Sequence, residues 1–450
     1  MLQQASPTPI DTIDNLERTR QNLRRLYEAD TRPWVVAYSG GKDSTAVLQL
    51  VYELLQNEKA AFKPTKPVFV VSSDTRVESP NVAAYVASTL RHIGDAAQDA
   101  QLDLQTRLVT PAPSEEFWSK LIGLGYPPPT RWFRWCTTNM KIKPSRRAID
   151  DITRQHGSVI LLLGTRSDES ALRGNSIAGR ESNELGLNRH HEIPDALVAT
   201  PIVRWSTDDV WEYLYSNNPP WGGSHDFMLS LYRKASGGEC PVVLDLNTPS
   251  CGGSRFGCWT CTVVKEDKSM QGFIQSGEEK LQPLANFRDW LKVIREDSER
   301  RAPLRRDGKS AGPGPFNPST RIEILERLLA LEQSVDFPLI SDESLAFIQK
   351  AWQEEFDYSD MARQIACRFN RETAMDQALS PTQTDDPLLE ASARDADFPL
   401  ELAQRLLGTV KSRYAYLDRW GAKAELERDI SALIDQDIKQ ARQADPAHDF

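Results

Sequence analysis

The residues with the clearest chemical potential form a short polar turn, SGGKDS, between an apolar run and a helical pattern. They are Ser39, Gly40, Gly41, Lys42, Asp43 and Ser44. Adjacent glycines let the backbone approach an anion closely, and the N-terminus of a following helix favours negative charge. The serines supply hydroxyl donors, Lys42 supplies charge, and Asp43 is suited to orient Mg²⁺ or a loop amide. The spacing matches neither Walker A nor the G-x-G-x-x-G pattern. We therefore predict a phosphate-binding loop of another class.

A second group of residues is suited to metal binding. Four of the six cysteines lie close together in the chain, at Cys240, Cys251, Cys258 and Cys261. Four thiolates bind either Zn²⁺ or an iron-sulfur cluster. Zinc ribbons typically use two Cys-x-x-Cys pairs, whereas this set has one pair and two outliers. The spacing favours a cluster, taken as [4Fe-4S], over zinc, and over four unconnected core thiols.

A basic stretch at 131–147 combines positive charge with the aromatic residues Trp132, Phe133 and Trp135, and contains no acidic residue. Its basic members are Arg131, Arg134, Lys141, Lys143, Arg146 and Arg147. Such a stretch is suited to grip a nucleic-acid backbone, although a solvated loop has the same composition.

Cys136 lies inside the basic stretch. Neighbouring cationic charges favour a thiolate, as a nucleophile or persulfide carrier requires. The alternatives are a buried apolar thiol and a further metal ligand. Cys367, on a helical pattern, is expected in the core.

The elements that must position these residues alternate between strands and helices. Short β-branched runs at 33–39, 67–74, 104–110 and 158–165 are separated by amphipathic helical patterns. This alternation predicts an α/β fold with a mainly parallel sheet flanked by helices. Ligands of such sheets bind beyond the carboxyl ends of the strands. The segments 39–44, 72–76 and 164–169 should therefore converge on one edge.

The chain is expected to divide into one large domain and smaller appended parts. We predict an N-terminal helix at 1–30, a nucleotide-binding domain at 31–235 and a Cys-rich metal segment at 236–275. A helical region at 276–375, a linker at 376–400 and C-terminal helices at 401–450 follow.

Composition restricts the class of protein. The 450 residues are 40% hydrophobic and 26% charged, and no apolar run is long enough to span a membrane. The N-terminal sequence lacks the pattern of a secretory signal, so we expect a cytoplasmic protein with reduced thiols. A net charge of −10 argues against wrapping nucleic acid over the whole surface.

The polar turn resembles the signature of the PP-loop ATP pyrophosphatases, Ser-Gly-Gly-x-Asp-Ser after a strand. This resemblance implies that residues 39–44 bind the pyrophosphate of ATP while its α-phosphate is attacked. It also implies a nucleotide contact at Asp74, which ends the second strand pattern. A carboxylate there is equally typical of a turn.

Two further stretches resemble the phosphoadenosine phosphosulfate reductase branch of that superfamily. The stretch LLLGTRSDESALR contains a Gly-x-Arg-x-x-Glu-Ser element, and PIVRWSTDDVWEYL contains the Trp-Ser and Asp-Val-Trp pattern. The first element consists of Gly164, Arg166, Glu169 and Ser170, with Arg173 close behind. The resemblance implies ATP contacts at Gly164, Arg166 and Arg173. Residues Trp205, Asp208, Asp209 and Trp211 of the second are expected to cap a helix and fill the core.

Combined with WCTTNMKIKP and FGCWTCTVVKEDKSM, the loop most closely resembles the sulfurtransferase component of the bacterial Dnd system, which phosphorothioates DNA. Phosphoadenosine phosphosulfate reductases carry a Glu-Cys-Gly nucleophile near their C-terminus, and adenylyl-sulfate reductases carry an adjacent Cys pair. Neither feature is found in this sequence, so both are disfavoured.

The resemblance implies that ATP is cleaved to AMP and pyrophosphate while sulfur replaces a non-bridging oxygen of DNA. Lys42, Asp43, Arg166 and Cys136 are then the catalytic candidates, with ATP, Mg²⁺ and a [4Fe-4S] cluster as cofactors. The implied partners are DNA, a cysteine desulfurase as sulfur donor and other subunits of the phosphorothioation complex. A PP-loop tRNA thiolase is the alternative enzyme. The non-enzymatic alternative is a protein whose fold is stabilised by a metal and which binds ATP as a regulatory ligand.

Overall fold

The structure, a computed structural model, describes most of the chain up to residue 371 and short stretches beyond it. The described residues are 9–61, 63, 65–167, 185–190, 193–235, 257–306, 309–335, 337–357, 360–371, 393–394, 396, 398–406, 428 and 430–436, with side chains from residue 15 except those of 234 and 235. They group into two compact units, one formed by 1–117 with 127–297 and the other by 118–126 with 298–450.

The first unit is built on a single sheet of short, apolar strands. Its six described strands are β1 Trp34–Ala37, β2 Val68–Ser73, β3 Leu104–Val109, β4 Val159–Leu162, β5 Asn188–Arg189 and β6 Ala196–Ala199. Their order is β3-β2-β1-β4-β6-β5. All neighbours are parallel except β5, which is antiparallel to β6. The predicted α/β fold with a mainly parallel sheet is confirmed.

Helices cover the sheet because the described crossovers from β1 to β2, from β2 to β3 and from β3 to β4 each return through one. The helices of the first unit are α1 Pro9–Ala29, α2 Lys42–Ala60, α3 Pro80–Asp99, α4 Lys143–His156, α5 Thr207–Ser216, α6 Asp226–Ala235, α7 Lys268–Gln275 and α8 Gln282–Glu296. Helix α4 is preceded by a helical turn at Trp135–Thr137 and a π-helical turn at Thr138–Ile142.

One hydrophobic cluster of the described residues lies between the sheet and α4. Alternate strand residues point to the same face, so Val35, Phe69 and Leu161 meet Ile149 and Ile152 of the helix. These side chains are almost completely buried. The strands thereby become a rigid platform for the loops at their ends.

Side chains from distant segments tie the outer helices to this platform. The buried Lys66 ammonium donates to the carbonyl of Tyr27 at 3.1 Å and to that of Asp30, next to the C-terminus of α1. The Trp205 indole donates to Thr19 at 2.9 Å, and the Tyr213 hydroxyl donates to Glu53 at 2.8 Å. Helices α1, α2 and α5 are thus joined by buried polar contacts.

The second unit combines a short internal segment with C-terminal helices. Its elements are the π-helical turn Ser119–Gly123 and the helices α9 Pro318–Ser334, α10 Asp342–Glu355 and α11 Met361–Arg368. The turn packs against α9 and α10. The indole of Trp118 donates to Leu339 O at 2.7 Å, and that of Trp352 donates to Ile122 O at 2.9 Å. Residues 118–126 therefore pack with the C-terminal helices, although they interrupt the first unit in sequence.

Candidate functional site

The phosphate loop lies where the topology of the sheet reverses. Strand β1 leads to β2 on one side, whereas β4 lies on its other side. Open α/β sheets bind ligands in the crevice at the carboxyl ends of such strands. The loops that follow β1 and β4 are the 39–44 loop and the segment that contains Gly164. The sequence prediction that these two segments converge is confirmed by their direct contacts.

The loop turns tightly into helix α2. Gly40 has φ +75°, and a Cβ there would lie 2.7 Å from Val86 Cγ2, so both backbone and space require glycine. Gly41 caps the helix, and its carbonyl accepts hydrogen bonds from Ser44 and Thr45 hydroxyls at 2.9 Å. The Ser39 and Ser44 hydroxyls lie 3.0 Å apart. The turn thus presents a helix N-terminus, which attracts an anion.

Gly164 fixes the loop from the side of β4. A Cβ on Gly164 would lie 2.8 Å from the backbone carbon of Asp43 and 2.9 Å from the amide nitrogen of Ser44. Only a glycine allows the two backbones to approach so closely. The sequence resemblance implied an ATP contact for Gly164, and the structure gives it a packing role against the first turn of α2.

Two residues of the loop, Lys42 and Asp43, form a buried ionic cluster with Arg166. The Asp43 carboxylate accepts from Lys42 Nζ at 3.0 and 3.1 Å and from Arg166 Nε at 2.6 Å. Arg166 also donates to the Trp205 carbonyl at 3.4 Å. All three charged residues are less than 5% exposed. Arg166 was expected to face the anion, but in the structure it pairs with Asp43.

Burial and the neighbouring charges in this cluster shift the pKa of Lys42. Burial lowers the pKa of Lys42 to about 8, the Asp43 carboxylate opposes this effect, and Arg166 adds to it. Lys42 therefore changes its charge near physiological pH, whereas an exposed lysine does not. Since Lys42 and Arg166 already bind its oxygens, Asp43 needs to exchange a partner before it can bind Mg²⁺ directly.

Tyr232, on helix α6, completes the loop and was not found by sequence reasoning. Its hydroxyl accepts a hydrogen bond from the Lys42 amide at 3.1 Å, and a Cβ on Gly41 would lie 3.2 Å from it. The Trp211 ring packs edge-on against the Tyr232 ring, with centroids 4.9 Å apart. No sequence motif indicates this contact, because 190 residues separate the two partners.

A cavity of about 550 Å³ adjoins the first turn of α2 on its outer side. Thr45, Tyr85 and Trp221 contribute to its lining, together with exposed glycines at 222 and 223. The Tyr85 ring also lies 3.4 Å from the Cβ position of Gly40. Tyr85 therefore contributes both to the cavity and to the surroundings of Gly40.

Asp74 lies at the same edge of the sheet, directly after β2. Its carboxylate accepts from the Arg76 amide at 2.7 Å, and its own amide donates to Val109 O at 2.9 Å. Arg76 has a positive φ of 62°. Asp74 thus stabilises a turn, which was the alternative to its predicted nucleotide contact.

The Cys-x-x-Cys turn is anchored to the segment after β2. Cys258 pairs with Glu78 in an isolated antiparallel bridge, and the Trp259 amide donates to Val77 O at 2.9 Å. The Cys258 sulfur lies 3.3 Å from the Thr75 hydroxyl. On the other side, Arg288 of α8 donates to Cys261 O at 2.9 Å and to Lys265 O at 3.2 Å. Both thiols are therefore held at the carboxyl edge of the sheet.

Cys136 lies close to this turn. Burial raises the pKa of Cys136, the charge of Cys261 raises it further, and the two effects outweigh Arg134 and Lys141 to give about 11. Burial thus opposes the thiolate that the basic stretch was expected to favour, and the nucleophilic role of Cys136 stays a prediction. Burial also raises the pKa of Cys258.

The fit of the predicted metal site is partial in the described part of the chain. Cys258 and Cys261 are positioned on one turn, whereas Cys240 and Cys251 lie outside the described residues. Within the described ranges no three Cys, His, Asp or Glu side chains form a metal-binding group. Glu169, Ser170 and Arg173 also lie outside the described residues, so their predicted roles stay predictions.

The basic stretch is only partly available to an anionic ligand. Lys143 and Arg147 both pair with Glu115, at 3.2 and 2.8 Å, and Arg146 lies 3.9 Å from Asp150. The Arg131 guanidinium instead lies 5.7 Å from the centre of the Trp132 ring. Lys141 and Arg134 are half-buried near Cys136.

The second predicted motif has a structural role. Ser206 caps helix α5 by accepting from the Asp209 amide at 3.0 Å, while Asp209 accepts from the Ser206 amide at 2.8 Å. Trp205 is buried in the core. The expectation holds for Asp209 as a cap and Trp205 as a core residue, whereas Asp208 is exposed and Trp211 is half-buried.

A mainly parallel sheet with an SGGKDS loop at its reversal point defines a protein of the PP-loop superfamily. A family model described as the phosphoadenosine phosphosulfate reductase domain matches residues 33–264, slightly more than half of the chain. The chain belongs to this family, which confirms the resemblance to that branch.

Comparisons with individual proteins are more distant. An uncharacterized protein of Methanocaldococcus jannaschii is 26% identical over 289 residues, which cover 64% of this chain and 47% of that protein. The chain spans about half the length of the curated relatives it matches.

Two solved structures are distantly similar to this chain. The phosphoadenylyl-sulfate reductase of Candida auris, solved as a phosphate complex, is 16% identical and covers 48% of this chain and 89% of its own, with a TM-score of 0.28. The U34-tRNA thiolase NcsA of Methanococcus maripaludis, with its [4Fe-4S] cluster, is 12% identical, covering 62% and 80%, with a TM-score of 0.29.

No helix in the described ranges combines the length and apolar character that crossing a membrane requires.

Proposed function

We propose that this protein is an ATP-dependent sulfurtransferase of DNA phosphorothioate modification. In the proposed reaction ATP is cleaved to AMP and pyrophosphate, and sulfur replaces a non-bridging oxygen of a DNA phosphate. The observation that carries the proposal is that the phosphate loop at 39–44 and the thiols Cys258 and Cys261 occupy the same edge of one sheet. Cys136 lies near Cys261.

The first step activates the DNA phosphate. A non-bridging oxygen of DNA attacks the α-phosphorus of ATP, and the bond to the β-phosphate oxygen breaks with release of pyrophosphate. The Lys42 ammonium, together with the Lys42 amide once the Tyr232 hydroxyl is displaced or shares it, stabilises the charge on the departing pyrophosphate. Asp43, which also binds Arg166, holds the Lys42 ammonium in place, and Mg²⁺ enters with the ATP phosphates.

The second step delivers sulfur. The terminal sulfur of a Cys136 persulfide attacks the activated phosphorus, and AMP leaves with the original oxygen. A thiol reductant then attacks the Cys136 sulfur, so the phosphorothioate is released and a disulfide forms. A second reductant thiol restores Cys136. A [4Fe-4S] cluster would be held by Cys240, Cys251, Cys258 and Cys261. It would either provide a second source of sulfide or stabilise the fold of this segment.

The proposed partners follow from this chemistry. DNA is the acceptor, a cysteine desulfurase is the source of persulfide, and other subunits of a phosphorothioation complex supply DNA affinity that a chain of net charge −10 lacks.

The test combines product analysis with a Cys136→Ser variant. Purified protein, ATP, DNA and a desulfurase with cysteine should yield pyrophosphate, and nuclease-digested DNA should contain phosphorothioate dinucleotides by mass spectrometry. Cys136→Ser should abolish sulfur incorporation but retain pyrophosphate release. Incorporation at the wild-type level in this variant would refute the role of Cys136, whereas release of no pyrophosphate by the wild type would refute the proposed function.

A PP-loop tRNA thiolase or a reductase-like enzyme is the second candidate, because the same loop and thiols suit activation of a base carbonyl. Sulfur found in digested tRNA and not in digested DNA would favour the thiolase.

A further inference from the structure

The turn at 130–134, here called the aromatic turn, presents a tryptophan to solvent on a fixed backbone. Trp132 is 90% exposed and Phe133 is 45% exposed. The Thr130 hydroxyl accepts from the amides of Trp132 and Phe133 at 3.3 and 3.0 Å, and the Thr130 amide donates to Phe133 O at 3.1 Å. The exposed ring therefore projects from a closed hydrogen-bonded turn.

Buried groups on both sides pin the aromatic turn in place. The Trp135 indole donates to Pro127 O at 2.9 Å, and its ring stacks on Phe117 with centroids 5.3 Å apart. Pro129 O accepts from the Thr262 hydroxyl at 2.7 Å and from Arg295 at 2.8 Å. Thr262 directly follows Cys261, so the turn is tied to the Cys-x-x-Cys segment. Exposure of Trp132 is thus a property of a well-anchored segment.

The charge beside Trp132 selects an anionic ligand. The Arg131 guanidinium lies 5.7 Å from the Trp132 ring centre, and no ion pair joins it to a carboxylate among the described side chains. In contrast, Lys143 and Arg147 share Glu115. An exposed indole with an adjacent arginine suits a nucleobase and its phosphate.

We propose that Trp132 stacks on an unpaired base of the DNA substrate, with Arg131 on the adjoining phosphate. A base inside an intact duplex offers no free face to an indole, so the acceptor strand must be single-stranded or have a base turned out. This inference rests on the proposed function and deepens it. Cys136 lies four residues beyond Trp132, so a base held there brings the backbone of the same strand toward the thiol.

The test measures binding of fluorescently labelled oligonucleotides by anisotropy at fixed salt. A single strand, a matched duplex and the same duplex with a one-base bulge are compared. Trp132→Ala should weaken binding of the single strand and the bulged duplex by roughly 5- to 100-fold, the range expected for one base-aromatic stack, and leave weak duplex binding unchanged. Trp132→Phe should restore most of the affinity.

Tyr215→Ala is the matched control, because Tyr215 is another exposed aromatic residue, on helix α5 outside the basic stretch. It should bind all three oligonucleotides like the wild type. Arg131→Gln should lower the slope of log affinity against log salt by about one unit, while Trp132→Ala should not.

Equal losses on the single strand and the matched duplex, no loss with Trp132→Ala, or tighter binding of the equivalent RNA strand would each overturn the inference. Its failure is separable from that of the proposed function, because binding is measured without ATP or sulfur donor. Trp132-dependent binding without phosphorothioate formation supports the inference and refutes the reaction.

Discussion

Asp43 stands between two cations, and this arrangement determines how the loop responds to pH. Lys42 and Arg166 both donate to its carboxylate in a buried site. The carboxylate raises the pKa of Lys42 and burial lowers it, with burial the larger effect. The loop thus carries a cation that is lost more easily than that of an exposed lysine.

The affinity for ATP should fall as the pH rises above about 8, the value to which burial lowers the Lys42 pKa. Below that value Lys42 is protonated before binding. Above it, binding must take up a proton, so the Kd should rise up to about tenfold per pH unit. Titration calorimetry with a non-hydrolysable ATP analogue between pH 6.5 and 9.5 measures this change. Lys42→Arg, which stays protonated, should flatten the profile; an unchanged profile in that variant would contradict the assignment.

Gly164→Ala should damage the phosphate loop without touching the nucleotide. The new Cβ would lie within 2.9 Å of the Asp43 and Ser44 backbone. Relief of that overlap requires the first turn of α2 to move, at a cost of about 1–3 kcal/mol. We expect a lower free energy of unfolding in urea and at least roughly tenfold weaker ATP binding, because the loop amides are displaced.

The control is Gly257→Ala, whose Cβ would meet no atom within 4 Å. This variant should match the wild type in both measurements. Normal ATP affinity in Gly164→Ala would show that the loop does not depend on this contact.

At the scale of elements, a side chain of helix α6 occupies a backbone donor at the N-terminus of α2 that a phosphate would also use. The Tyr232 hydroxyl accepts from the Lys42 amide, the same donor that a phosphate oxygen would use. An incoming phosphate must therefore displace the hydroxyl or share the donor with it.

Tyr232→Phe should bind ATP more tightly than the wild type. Removal of the hydroxyl leaves the Lys42 amide without this acceptor before ATP binds, and one such hydrogen bond is worth about 1 kcal/mol, so the Kd should fall roughly fivefold. Titration calorimetry with the same analogue measures the change. Weaker binding would show that the hydroxyl contacts the nucleotide instead.

Tyr213→Phe serves as the control for this prediction. Its hydroxyl donates to Glu53, away from the loop, and its removal should leave the Kd for ATP unchanged.

Local patterns predicted the elements that carry the site, but not the contacts between them. SGGKDS and the β-branched runs identified the loop, β1, β2, β3 and β4, because glycine spacing and apolar periodicity are local properties. The short strand Ala196–Ala199 and its antiparallel partner Asn188–Arg189 have no such pattern. Three further contacts join residues that are more than a hundred positions apart in the chain. They are the hydrogen bond between Lys42 and Tyr232, the ion pair between Asp43 and Arg166, and the proximity of Cys136 to Cys261.

At the scale of the whole molecule, the cluster assignment predicts that the cysteines of the Cys-rich segment hold iron. Anaerobically purified protein should contain iron and inorganic sulfide and absorb in the visible range. Cys258→Ser should lose most of both, because one fixed thiol of the Cys-x-x-Cys turn is removed. Cys367→Ser, a half-buried thiol on α11, should retain the wild-type content. Full iron content in Cys258→Ser, or zinc in place of iron, would contradict the cluster assignment.

The second unit depends on a buried arginine. The Arg321 side chain is completely buried and donates to the carbonyls of Ile122 at 2.8 Å and Gly123, and to Glu355 at 2.7 Å. Arg321→Met should destabilise this unit by about 3 kcal/mol, because it leaves buried acceptors without a donor.

Hydrogen exchange of the α9 and α10 amides measures this loss, which should speed exchange by on the order of a hundredfold. Arg327→Met, which removes an exposed pair with Glu323 on the same helix, should change the rates little. Similar rates in the two variants would contradict the role of Arg321.

The segment 118–126 has a practical consequence for anyone who wishes to study the unit that carries the SGGKDS loop by itself. Cutting the chain after Asp297 would remove the helices that shelter Trp118 and Leu121, and these large apolar side chains would then face water. Such a fragment would be prone to aggregate, even with every residue of the phosphate loop intact. Replacing 118–126 by a short polar linker in the same fragment should keep it in solution.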